Sequence, residues 1–275
     1  MEKIKSIKIW VDNGFEPFMK EFREYDENGK ETLKENYFSA QEPEGKTITK
    51  YNETGLVTEE TNFGEDGNIT DKTLISRDSE GNATEVIIEF ADGSKTIKSF
   101  HRENNGKTVT VHEQSDEGEF EGMEKVTMDD NGNVIETLTL SENKEIIDQH
   151  LFEFDKNQNI KKEIIFHNYQ KISETNYEYN ENNNLVKRVM VNTSGETIDW
   201  ALFRYDEKGN LTEQQFGDHT LYKMNYNENK KVIREQKVNA MGIVEYSKEY
   251  KYNEQGELIE ENNITEKITY EYTYY

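Results

Sequence analysis

The sequence predicts an all-β fold: tandem antiparallel β-hairpin repeats of about 26 residues that form one elongated, coiled, single-layer sheet. Three observations carry this expectation. The first is a recurring turn, complete at Tyr205-Asp206-Glu207-Lys208-Gly209-Asn210-Leu211. Its copies begin at Tyr25, Tyr51, Met128, Phe154, Tyr179, Tyr205, Tyr226 and Tyr252. Three even steps across the 77 residues from Tyr51 to Met128 land on Arg77 and Arg102, which keep the turn and lose its aromatic lead. Ten copies at a fixed spacing indicate a repeat architecture. The second observation is alternation. Tyr177 and Tyr179 share a face that Glu178 does not, and Phe152/Phe154, Phe203/Tyr205 and Tyr250/Tyr252 repeat the pattern. After the turns, Leu185, Val189 and Val191 fall on one parity, as do Ile160, Ile164 and Phe166, which is the mark of half-buried strands. The third is turn chemistry. Asn28-Gly29, Asn105-Gly106 and Asn131-Gly132 suit the positive-φ positions of tight hairpins, and Asn183 stands where glycine is missing.

Taken in order, residues 1–24 form an N-terminal cap. It has strands near Ile4–Val11 and Phe15–Phe22 around Asp12-Asn13-Gly14, with Pro17 at an edge. Ten repeats occupy 25–264. Each has a second, looser turn, such as Glu42-Pro43-Glu44-Gly45, Asn192-Thr193-Ser194-Gly195 or Ala240-Met241-Gly242. Phe63–Ile69 carries an extra turn at a half-period position, and the step from Tyr205 to Tyr226 is shortened to 21 residues around Gly217-Asp218-His219. Residues 265–275 supply a strong final strand, Ile268–Tyr275, as a C-terminal cap. Roughly 20 strands at about 4.8 Å each would make a flat sheet too large to stay flat, so native twist coils it. No composition break divides the chain, which reads as a single domain over 1–275.

The full string Tyr-Asp-x-x-Gly-Asn-Leu resembles the YD repeat found in the shells of Rhs-type polymorphic toxins and in teneurins. The resemblance spans residues 25–258 and implies a long antiparallel sheet that winds into a spiral. This chain departs from the pattern in its longer period. It also lacks the length of a full Rhs shell, and has no recognisable toxin domain. The resemblance carries over no catalytic residue.

Composition narrows the function. Net charge is −24, with 33% charged and 32% hydrophobic residues. A field of that sign repels nucleic acid and anionic membranes and attracts basic proteins. The 16 Tyr and 13 Phe argue against disorder. There is no Cys, hence no disulfide and no thiolate metal site. Neither a signal-peptide core nor a membrane-length apolar run appears in the sequence, so a cytoplasmic home is expected.

No enzymatic signature is present, and no cofactor is expected. Asp129-x-Asn131-x-Asn133 and Asp155-x-Asn157-x-Asn159 match the opening of a calcium loop, but the same residues serve a hairpin turn, which is the preferred reading. The five histidines lack metal spacing. The aromatic ladder reads first as sheet packing and second as a stacking surface for sugar or peptide. Attention therefore falls on the exceptions to the repeat. Arg77 and Arg102 replace the aromatic lead, and Glu113, Asp116, Glu117, Glu119, Glu121 and Glu124 concentrate acid within twelve residues. These eight residues are the candidate partner-binding set. The expected function is a non-enzymatic bacterial scaffold that binds a basic protein, in its most concrete form an immunity-like protein against a basic toxin. The alternative is a surface or secreted module that binds carbohydrate or peptide through exposed aromatics.

Overall fold

The structure, a computed structural model, describes residues 2–275. It contains 22 β-strands and no helix among them. Strands alternate in direction, from β1 (Ile4–Asp12) and β2 (Phe18–Tyr25) to β21 (Leu258–Asn262) and β22 (Lys267–Tyr274). All-β hairpin repeats are thus what the chain forms. Their contacts divide into two compact units. One comprises residues up to Ser99 with Glu113–Phe120 and Glu249–Tyr275, and the other Phe100–His112 with Glu121–Lys248.

The expected open, elongated and coiled sheet is not what forms. Each strand bonds to the next, and β22 bonds to β1, so the ladder is closed and has the hydrogen-bond topology of a barrel. The seam runs from Ile4↔Tyr274 to Asp12↔Lys267. Its side chains fit. Val11 and Ile268 oppose one another and are two of only four buried apolar side chains among the described residues, the others being Met123 and Ala201. Ser6 Oγ and Thr273 Oγ1 share a 2.7 Å hydrogen bond across it. Closure removes the two terminal edges, which would otherwise present unpaired backbone groups to other chains.

The turns close in one way. At the first, the Asp26 amide donates to the Lys30 carbonyl (2.8 Å) and the Gly29 amide to the Asp26 carbonyl (2.9 Å). This is a three-residue loop with a type I turn followed by a left-handed residue. Gly29 alone takes the positive φ, of 78°, so Asn28 contributes polarity rather than backbone conformation. Asn183 does fill the left-handed position where glycine is missing, with φ 64°. The extra residue slips the register by one at Glu24/Tyr25, and the same slip recurs at Lys50/Tyr51, Ser76/Arg77, Glu178/Tyr179 and Arg204/Tyr205. The second turns are not looser. Asn192 to Glu196 and Asn239 to Ile243 close with the same two bonds, as does Gly64 to Asn68, the turn that looked supernumerary. Glu42–Gly45 is no turn at all but opens β4 (Glu42–Tyr51).

On the face opposite Tyr51, a glutamate two residues into an odd-numbered strand bridges cations on both neighbours. Glu59 sits between Lys50 (2.9 Å) and Lys72 (3.4 Å), and Glu260 between Lys251 (2.6 Å) and Lys267 (2.9 Å). Cross-strand pairs of this kind supply what a thin core does not.

The seam is testable. Ile268→Ala should lower stability by about 2–4 kcal/mol, as for other core truncations. It should also accelerate amide hydrogen exchange in β1 and β22 while leaving β13 to β15 unchanged. Exchange at the seam no slower than at the turns, already in the unmodified protein, would show that the ring is open.

Candidate functional site

Antiparallel alternation puts the tyrosine-led turns, which follow even-numbered strands, along one edge of the sheet. The other turns lie along the opposite edge. At the tyrosine edge several leading tyrosines make a fixed contact, whereas Tyr25 donates to Glu31 Oε2 (3.3 Å) and Met128 and Phe154 have no hydroxyl. Tyr51 Oη donates to the Glu31 carbonyl (2.7 Å), Tyr179 to Ile160 (2.9 Å) and Tyr205 to Leu185 (2.9 Å). Each acceptor is the first residue of the strand that opens the preceding repeat. Where the repeat is shorter, the contact survives and the spacing shrinks: Tyr226 reaches Leu211 (2.7 Å) and Tyr272 reaches Leu258 (2.7 Å). Tyr272 escaped the sequence reading because no turn follows it. The rings are half-buried and the hydroxyls are committed, so the ladder takes part in holding the sheet together.

Arg77 fills the same role. Its Nε and Nη2 donate to the Val57 carbonyl (3.3 and 3.1 Å) and its Nη1 to the Gly81 carbonyl (3.0 Å). Val57 stands to Arg77 as Leu185 stands to Tyr205. Arg102 lies 5.9 Å from the Phe100 ring, in cation–π contact on its own strand. The carboxylates that resembled a calcium loop are also occupied. Asp129 Oδ1 accepts the amides of Asn131 (2.8 Å) and Asn133 (2.9 Å), and Oδ2 accepts Asn133 Nδ2 (2.9 Å). Asp155 repeats this with Asn157 and Asn159. These bonds to the charged form hold both carboxyls below their ordinary pKa. Asparagine side chains then link turn to turn, Asn157 Nδ2 and Asn159 Nδ2 both donating to Asn183 Oδ1 (2.9 and 3.1 Å).

The acidic stretch is an ordered hairpin at the opposite edge. Glu113 pairs with Lys98 (3.0 Å), and the Asp116 amide donates to the Lys95 carbonyl (3.1 Å). Asp116, Glu117 and Glu119 form the exposed turn, and Glu121 and Glu124 are exposed on β10 (Phe120–Met128). The structure does not bring Arg77 to this turn, since Arg77 ends its strand at the tyrosine edge.

The opposite edge differs in chemistry. Its turns carry large apolar side chains in solvent: Phe15 (82% exposed), Tyr169 (69%), Met241 (80%) and Ile264 (99%), with Phe38, Ile198 and Ile243 close to the same edge. Only Leu56 does so within a tyrosine-led turn among the described residues.

The shortened repeat also lies at this edge. β17 (Leu211–Phe216) and β18 (Leu221–Tyr226) have six residues each, beside nine in β16 (Thr197–Tyr205). β16 pairs with β15 (Leu185–Asn192) out to Thr197, but with β17 only as far as Ala201↔Phe216. The turn folds into the step this leaves. His219 meets Trp200 edge-on at 5.9 Å, and Phe216 meets Tyr222 at 90° and 5.9 Å. A Cβ on Gly217 would lie 3.2 Å from Asp199 Oδ1 and 3.5 Å from the Trp200 amide, so the turn packs closely here and the Asp199 carboxylate would have to give by a few tenths of an ångström. The result is an open recess of about 670 Å³ lined by Asp199, Phe216, Asp218, Tyr222, Glu235 and Lys237, among others.

Comparison with known proteins agrees with this geometry. The family model described as Teneurin YD-shell matches residues 137–274, just over half of the chain. The chain belongs to the teneurin YD-shell family. Solved structures similar to this YD-shell chain include TcdB2-TccC3-Cdc42, at 14% identity and a TM-score of 0.44, over 89% of this chain and 15% of that one. The Photorhabdus luminescens Tc holotoxin pore matches at 13% and 0.42, over the same shares. A porin-like protein from Bacteroides uniformis matches at 8% and 0.35, over 98% of each. The chain thus spans 15% of the length of the first of these structures. No curated protein sequence matches it.

Two substitutions test the tyrosine edge. Tyr205→Phe should cost about 1 kcal/mol in urea unfolding, the net value of one hydrogen bond. Arg77→Met should cost about 1–3 kcal/mol, because it removes a charged donor from two carbonyls. Arg77→Tyr should restore most of that loss. A tyrosine no better than methionine at position 77 would mean that the two side chains do different work.

Proposed function

We propose that this YD-shell chain is a non-enzymatic scaffold that binds a basic protein partner in the bacterial cytoplasm, and that it acts as an immunity-like protein by masking a toxin. The observation that carries the binding role is the difference between the two edges. One carries tyrosine hydroxyls bonded within the protein. The other presents Phe15, Phe38, Tyr169, Met241, Ile243 and Ile264 to water. In each unit, large apolar groups left in water at turns are the kind of surface that marks an interaction site. The sign of the partner follows from net charge: 57 acidic against 33 basic residues leave −24. Several of the cations are already held in Lys–Glu–Lys bridges across the sheet. Complementary charge speeds association and makes it salt-sensitive.

The test is capture by the full chain from a lysate of its source organism, followed by elution with rising salt. The proposal expects one basic protein, released by salt and lost with Phe15→Ser/Ile264→Ser or with Met241→Ser/Ile243→Ser. The immunity role further expects that the captured protein arrests growth when expressed alone and not when expressed with this chain. Capture that is indifferent to salt and to both pairs of substitutions would overturn the binding proposal. A harmless captured protein would overturn the immunity role alone.

A further inference from the structure

We infer that the recess beside the shortened β17–β18 hairpin is a receptor for a basic side chain, an arginine or lysine of the partner protein. This deepens the proposed function and rests on it for the source of that side chain. The recess has the size of a ligand site. It lies where two successive strands, β17 and β18, have six residues each beside nine in β16. Its walls decide the sign of the ligand. Asp199, Asp218 and Glu235 bring three carboxylates, of which Asp199 is paired with Arg188, against the ammonium of Lys237 in the lining. Clefts lined by one sign of charge focus the field and concentrate counter-charges.

The ligand's charge would not meet a bare acidic cluster. Phe216 and Tyr222 meet edge-on at 90° and both rings border the recess. A flat, weakly hydrated guanidinium over an aromatic face gains cation–π attraction. The Gln214 amide and the Thr220 hydroxyl add polar contacts. The carboxylates are held in place. Asp218 Oδ1 accepts the Thr220 amide (2.8 Å) and Oδ2 its hydroxyl (2.9 Å), bonds that keep its carboxyl below the ordinary pKa and charged at neutral pH. Asp199 is fixed by Arg188. Lys237 is paired with Glu245 (3.2 Å), so its charge is already partly met.

The test uses two peptides, acetyl-Gly-Arg-Gly-amide and its neutral citrulline counterpart. Each is titrated into the full chain while the amide resonances of Asp199, Gly217, Tyr222 and Lys237 are followed by NMR. The arginine peptide should shift these resonances saturably, and the citrulline peptide should not. Asp218→Asn with Glu235→Gln should weaken binding about tenfold. Asparagine can still accept the Thr220 amide, since Asn192, Asn227 and Asn239 accept the amide two residues on at the heads of their turns. Lys237→Met should tighten binding several-fold, an outcome that a merely unfolded variant could not give. Shifts scattered over the acidic surface and equal in all variants would mean counter-ion attraction only and would overturn the inference, as would no shift at all. The two levels separate cleanly. A partner that still binds through the apolar edge while the recess variants change nothing would refute the receptor and leave the scaffold standing.

Discussion

A hydroxyl at the end of one repeat bonded to the carbonyl that opens the repeat before it is the contact on which this ladder depends. Backbone bonds join each strand to its neighbour, but link a turn to the preceding repeat only at some places, such as Asp116 to Lys95 and Met128 to Lys107. The tyrosine adds such a link by lying across the intervening strand. That geometry is held more strictly than the sequence. The donor is a phenol at five of these positions and a guanidinium at a sixth, and the distance along the chain falls from 19 or 20 residues to 15 or 14 where strands are shorter. A bonded, half-buried phenol also accounts for a sheet that buries so little else. With four buried apolar side chains among the described residues, order comes from turns, seams and bridges.

The same constraint divides the two edges. A turn that must place a tyrosine has its aspartate or asparagine committed to amides and its glycine to a left-handed φ, which leaves few positions free to vary. Turns at the opposite edge share the closing bonds but carry no lock. They are where apolar side chains reach solvent, where acid is concentrated around Asp116–Glu119, and where a hairpin was shortened. Variation gathers where structure makes the weakest demand.

Legibility in the sequence followed the range of the contacts. Period, strand alternation and turn positions depend on residues within a few places of one another, and these were readable, as was the YD-repeat family. Closure was not. The Val11–Ile268 pair joins opposite ends of the chain, and neither residue differs in type from dozens of others. Arg77 drew attention as an exception and proved to be a replacement. The clue was present in its 20-residue distance from Val57, the same as that of Tyr205 from Leu185. The Glu59 and Glu260 bridges were hidden because charged residues on a strand look alike until the register is known. The recess needed the structure, since a missing five residues says only that something is shorter.

The account stands on hydroxyls that are bonded and shielded, and the most direct test is their ionisation. Burial raises the pKa of Tyr51, Tyr179, Tyr205, Tyr226 and Tyr272 above the ordinary value of a phenol. Burial, with the nearby Glu163 carboxylate, takes Tyr177 to about 12. A raised folded pKa means stability that is complete below pH about 10 and lost as pH climbs through the folded values. Absorbance at 295 nm and far-ultraviolet circular dichroism should be followed together from pH 8 to 13. The account predicts that most tyrosines ionise late and that the sheet signal is lost with them. Full ionisation near pH 10 with the sheet intact would contradict it.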